Sequence, residues 1–257
     1  WQLSLGFAML GELGAIYFTY FKCRPVLAGF FFALAFGNRT EIIITAPIFL
    51  WLILVSNEGE FEGNPDNSPN EFRNLAAFCS IPVFLGILTL IYNYVRFQSF
   101  TDFGHARIPG VLDETWYQYG IFSIWYIPQN FIEMLYTPWK SISTSPFLVP
   151  TGFGGSIWWC SPFLFYLLRF GGERKLLKRT AWVAILMLTL LLWIHGNPGG
   201  WQFGYRYAMI LLPWIFIILL ENSPKHITKT EWLAYIFSIF INGYATYLFF
   251  WTSYVQP

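Results

Sequence analysis

Charge is scarce in this sequence: Asp, Glu, Lys and Arg make up 11% of its 257 residues, against 56% hydrophobic and 22% aromatic residues. A soluble domain carries roughly a quarter charged residues, so a water-facing globule is excluded. With a mean hydropathy of +0.48, the composition predicts a polytopic membrane protein. Neither sign of charge dominates. The net charge of +1 leaves no broad basic field, and nucleic acid is not an expected partner. Cysteine is equally thin. Cys23, Cys79 and Cys160 lie in unrelated segments without CxxC or Cys/His spacing, so neither a disulfide framework nor a zinc site is indicated; no cofactor is expected, and metal dependence is left open. Also missing are an internal repeat and an initiating Met. The start "WQLSLGFAML" has neither the basic flank nor the cleavage site of a signal peptide, and the chain reads as a fragment lacking its N-terminal part.

What is present is a series of apolar runs. A bilayer core takes about 20 apolar residues as helix, fewer where a helix ends inside protein or at an aqueous cavity. The runs predict an all-α fold with about eight transmembrane or half-membrane helices, at 2–20, 26–37, 42–55, 75–92, 156–169, 181–195, 206–221 and 232–252, in a single polytopic domain covering 1–257. The stretch 26–55 is too long for one straight span and carries Asn38, Arg39 and Glu41 at its middle, which predicts a hairpin of two short helices with these residues at its tip. Between 93 and 155, aromatics alternate with Gln, Asn and Glu and are broken by Pro128 and Pro138. This pattern predicts amphipathic helices in the outward interface.

Alternating spans place Lys22, Arg24, Arg73, Arg169, Arg174, Lys175, Lys178, Arg179, Lys225 and Lys229 on one side and Arg39, Arg96, Arg107, Lys140 and Arg206 on the other. By the positive-inside rule the first group is cytoplasmic and the second faces outward. An arginine near hydrocarbon needs a cavity, a carboxylate or a headgroup. Arg206, in "GGWQFGYRYAMILLPWIF", is the sharpest case, with Tyr205 and Tyr207 beside it and Gln202 one helical turn before. A guanidinium suits phosphate because its fork donates bidentately and stays charged. The plainer alternative is a snorkelling anchor in an aromatic belt. For Arg39 and Glu41 the alternative is a structural pair; two residues apart on a helix they diverge, so Glu41 is expected nearer Asn38. Asp102 and His105 have the spacing of an acid/base pair but lie in a Gly/Pro-bounded loop, where solvated polar residues are usual. His195 reads as a helix cap, and Glu12 is a lone carboxyl inside an apolar run.

The ordered motifs "LAGFFFALAFGNRTEIIITAPIFLWLIL", "YNYVRFQSFTDFGHARI", "FLVPTGFGGSIWWCSPFLFYLL" and "GNPGGWQFGYRYAMILLPWIFIIL" resemble the C-terminal part of C-type (GT-C fold) membrane glycosyltransferases. The branch they are most similar to is the bacterial relatives of the dolichyl-phosphate-mannose protein mannosyltransferases. The resemblance implies a polyprenyl-phosphate-linked sugar donor and transfer on the outward face. In a bacterium that is the periplasmic or extracellular face of the inner (plasma) membrane, with membrane lipids as surroundings. It points to Arg206, Tyr205, Tyr207, Arg39, Glu41 and Arg96 as substrate-binding residues, with Asp102 or His105 nearer the acceptor. The family's hallmark acidic pair lies in a first outward loop that this chain lacks. Asp113 and Glu114 follow the fourth apolar run and do not inherit that role. A transporter or flippase for lipid-linked saccharides, a non-catalytic subunit, and a ligase or polymerase of lipid-linked glycans remain alternatives.

Overall fold

The computed structural model describes residues 2–55, 71–104, 107–199 and 202–255. Of these, 71% are helical. Two units, Trp1–Asp113 and Glu114–Pro257, are distinguished by their internal contacts.

In the first unit, helix α1 (Gln2–Ile16) runs on through a π turn to Phe21; α2 (Pro25–Asn38), a 3-10 turn (Thr40–Thr45), α3 (Ala46–Val55) and α4 (Glu71–Phe97) follow. Pro25 opens α2 at its first turn, where the missing N–H has no intrahelical partner to lose. Arg39 ends the helix by taking extended backbone (φ −141°, ψ 99°). The chain then folds back, with the Phe32 ring meeting Phe49 of α3 at 5.1 Å and Phe78 of α4 at 5.5 Å. The expected hairpin with Arg39 at its tip therefore forms. Neighbouring helices of this unit, α1 with α2 and α2 with α4, approach closely through glycine. A Cβ on Gly11 would stand 2.7 Å from the Ala35 nitrogen of α2, and one on Gly29 would strike the Phe78 carbonyl of α4. Gly29→Ala is expected to destabilise this unit by about 1–3 kcal/mol through overpacking. Gly6→Ala, which has open space, should leave the melting temperature in detergent unchanged or higher.

In the second unit, 3-10 turns lead to α5 (Ile127–Leu135), and a short antiparallel pair follows, β1 (Lys140–Ser141) with β2 (Leu148–Val149), Lys140 opposite Val149. Next come α6 (Ile157–Cys160), a 3-10 segment (Pro162–Leu168), α7 (Lys175–Ile194), a 3-10 turn (Arg206–Leu211) running into α8 (Leu212–Asn222), and α9 (Lys229–Trp251). Trp214, Leu177, Leu188, Ile210 and Leu211 form its buried centre. Thr228 and Glu231 close a reciprocal cap at the start of α9. The basic run expected at the cytoplasmic face ties helix ends together: Arg169 meets Glu231 at 2.7 Å, Arg174 meets Glu221 at 2.9 Å, and Lys178 donates to Asn222 Oδ1 at 2.6 Å.

Helical segments fall in all eight expected ranges, but among the described residues four helices are long and apolar enough to cross a membrane: Leu3–Phe21, Glu71–Phe97, Lys175–Ile194 and Lys229–Trp251. The others are shortened by breaks at Arg39 and at Ser161–Pro162, and by the 3-10 geometry of Arg206–Leu211.

Candidate functional site

The polar residues at the end of α7 are gathered by α5. Asn130, 1% exposed, donates through Nδ2 to the carbonyls of Trp193 (2.9 Å) and His195 (2.8 Å), which fixes the last turn of α7 against α5. Buried amides are retained where their hydrogen bonds are met, and here both bonds serve a helix terminus that lacks its own partners. The loop at 150–156 is tied to the other end of α5: Ser156 donates its hydroxyl to the Leu135 carbonyl (2.8 Å) and its N–H to Thr137 (2.9 Å). Two loops are thus held against one short helix.

Gln202 links them. Its amide nitrogen donates to the carbonyls of Pro198 (2.9 Å) and Gly199 (3.1 Å), while Oε1 accepts the Arg206 backbone N–H at 2.8 Å. The sequence spacing suggests two side chains on one helical face. In the structure Gln202 lies before the helix and caps the turn that begins at Arg206, so its side chain fixes the Arg206 backbone and does not engage the guanidinium. That guanidinium lies 5.4 Å over the Tyr207 ring. Its Nε is buried and has no hydrogen-bond partner among the described residues. No ion pair of the described residues includes Arg206.

Tyr207 is positioned in turn by His195. The imidazole stands edge-on to Tyr207 (6.4 Å), Tyr117 (6.2 Å) and Phe122 (5.3 Å), and its Nδ1 donates to the Asn197 carbonyl at 2.8 Å. His195 is the C-cap residue of α7, as its place in the sequence suggests, and its ring is oriented within an aromatic box. Tyr205 turns the other way, 3% exposed, its hydroxyl donated to the Leu192 carbonyl at 3.4 Å. Burial, with the charge of Glu133 adding to it, raises the Tyr205 phenol above its ordinary value.

Glu133 escapes a reading based on the motifs. It sits on α5, partly buried, with Oε2 accepting the Thr137 hydroxyl at 3.1 Å. Gly154, at φ +127°, passes so close that a Cβ there would lie 2.8 Å from Glu133 Oε1 and 3.3 Å from Gln202 Nε2. Burial pushes the Glu133 carboxyl above the usual carboxylate value, and the Thr137 hydrogen bond opposes the rise. The signal was present: Asn130 and Glu133 are an i, i+3 polar pair on a short helix whose Ile132 is exposed.

The remaining predicted residues belong to the first unit. Arg39 Nη2 meets Glu41 Oε1 at 3.4 Å, whereas Asn38 donates to the Leu34 carbonyl. This corrects the expectation that Glu41 faces Asn38: α2 ends at Asn38 and the extended Arg39 leads into a 3-10 turn, so the helical spacing behind that expectation does not run from 38 to 41. Arg96 donates to the Tyr92 hydroxyl at 2.8 Å and lies 5.0 Å over Phe97. Asp102 accepts Arg107 Nε at 2.6 Å and the Gly104 N–H at 2.7 Å; the Arg107 hydrogen bond first, then the Gly104 one, holds its carboxyl below the usual range. His105 lies outside the described residues. Glu12 is fully buried within α1.

Comparison of the chain with protein-family models, with curated proteins and with solved structures finds no match.

Proposed function

We propose that the chain forms part of a membrane glycosyltransferase that moves a hexosyl or pentosyl group from a polyprenyl-phosphate-linked donor to a hydroxyl acceptor on the outward face of a bacterial inner membrane. The observation that carries this reading is Arg206. A partly buried guanidinium with an unpartnered Nε, stacked on an aromatic face and paired with no carboxylate among the described residues, is suited to bind an anion. A lipid headgroup phosphate is an anion that a membrane-embedded chain meets. The membrane setting is supported by the four helices of spanning length and by the apolar surface of α4, where Phe84, Ile87 and Ile91 are exposed.

In this reaction the acceptor hydroxyl attacks the anomeric carbon as the bond to the phosphate oxygen breaks, and negative charge builds on the departing polyprenyl phosphate. Arg206 stabilises that charge, with Tyr207 holding the guanidinium plane. Arg39, Glu41 and Arg96 belong to the first unit, and their own contacts there support helix ends and turns. The test is donor dependence. The full-length protein in proteoliposomes should label a glycan or protein acceptor from a polyprenyl-phosphate-linked radiolabelled sugar and release polyprenyl phosphate one for one. Movement of the intact lipid-linked saccharide between leaflets without release would point to a transporter instead.

A further inference from the structure

We propose that the exposed face of α7 binds one anionic phospholipid of the leaflet at the basic end of that helix. Lys175 and Arg179 hold its phosphate, Trp182 lies at its ester groups, and Leu186 and Leu190 carry an acyl chain. The inference needs the membrane setting alone and is independent of the glycosyl-transfer reading. It is carried by the order of residues along one stripe of α7. Lys175, Arg179, Trp182, Val183, Leu186 and Leu190 are exposed, and their spacing of i, i+4, i+7, i+8, i+11 and i+15 places them on one side of the helix. The opposite side is packed, with Leu177, Ala184 and Leu188 fully buried.

From its basic end the stripe passes from two cations through an indole to aliphatic side chains. A phospholipid presents the matching series of phosphate, ester carbonyls and hydrocarbon. An indole settles at the ester level because its body is apolar and its N–H can donate. The two cations are also the ones left available in the basic run. Arg169 is paired with Glu231, Arg174 with Glu221, and Lys178 donates to Asn222. The side chains of Lys175 and Arg179 have no hydrogen bond or ion pair among the described residues, and Glu173, the nearest carboxylate in sequence, pairs with neither. Residues four apart on a helix stand about 5–6 Å apart at Cβ, so one phosphate can accept from both.

This face is separate from the surroundings of Arg206. Lys175 opens α7 and His195 ends it, about 30 Å away for a helix of this length, and Tyr207 and Arg206 lie at the His195 end. The phospholipid therefore belongs to the opposite leaflet, where it fixes the depth of α7.

The experiment compares the full-length wild type with K175S/R179S, K175R/R179K and K140S in nanodiscs of phosphatidylcholine with phosphatidylglycerol as the minority lipid. Lipid that stays bound after transfer to a neutral detergent is identified by native mass spectrometry, and melting is followed with and without phosphatidylglycerol. K175S/R179S removes exposed side chains without partners, so its melting temperature in phosphatidylcholine alone should equal that of the wild type, which checks the fold. The expected result is selective retention of phosphatidylglycerol by the wild type, by K175R/R179K and by K140S, whose lysine lies in β1. The preference should fall about fivefold for each cation removed, roughly 25-fold in K175S/R179S. Phosphatidylglycerol should raise the wild-type melting temperature and leave that of K175S/R179S unchanged. Equal retention by the wild type and K175S/R179S overturns the proposal, as does a wild type that retains no lipid, the result for cations that only snorkel. Displacement of the lipid by inorganic phosphate alone, retention of polyprenyl phosphate in preference to phosphatidylglycerol, or a dimer that K175S/R179S dissociates gives the face to another occupant and overturns it too. None of these outcomes depends on sugar transfer.

Discussion

Replacing Arg206 with alanine should lower sugar transfer by about 100- to 1000-fold, the loss typical when a donor to developing negative charge is removed. The fold should survive. The interaction that starts the 3-10 turn is between the Gln202 side chain and the Arg206 backbone N–H, which alanine retains. No hydrogen bond to Nε and no ion pair among the described residues is lost with the side chain. Arg206→Lys should fall between the two, because an ammonium keeps the charge but loses the planar fork and the stacking on Tyr207. Steady-state transfer and a melting curve on the same preparations decide the matter. A helix anchor predicts the opposite pattern, a lowered melting temperature with near-normal turnover in the protein that remains folded.

Gly154→Ala should be nearly as damaging, for steric reasons. At φ +127° an L side chain is strained by roughly 1–3 kcal/mol. The new methyl would also press on Glu133 Oε1 and Gln202 Nε2 together. Moving Gln202 disturbs the site, since its carboxamide holds the start of the Arg206 turn. A displacement of about 1 Å can lower a rate by about 100-fold, and a loss of at least that size is expected here. Gly243→Ala in α9, where a Cβ meets open space, serves as the control and should transfer at the wild-type rate. Equal activity in the two variants would remove Gly154, and with it the placement of Gln202, from the account.

Much of the helical plan was legible because apolar runs and their charged interruptions are composition signals. The break at Arg39 and the return of α3 along α2 follow from a run too long for one span. Continuity was not legible, because apolarity reports burial and not where the backbone bends. Ser161–Pro162 and the 3-10 turn at Arg206–Leu211 interrupt runs that read as single spans. Contacts drawn from helical spacing were least secure. Arg39 and Glu41 meet across a break between α2 and a 3-10 turn, where helical spacing does not apply, and Gln202 serves Arg206 through the backbone and not along a shared face. Glu133 was hidden for a different reason. Its close neighbour Gly154 lies in another loop, and only the packing of that loop on α5 through Ser156 brings the two together.

The prominence given to Arg206 came from its isolation as a charge at the mouth of an apolar run, and its surroundings now supply the physical content. Gln202 holds its backbone, Tyr207 its plane, and His195 stands against Tyr207. The most direct measurement is a structure of the full-length protein with polyprenyl phosphate bound. It should place a phosphate oxygen at about 2.7–3.2 Å from the Arg206 guanidinium, on the side that bears the unpartnered Nε. A phosphate held elsewhere, with Arg206 turned to lipid or to another protein group, would contradict the account.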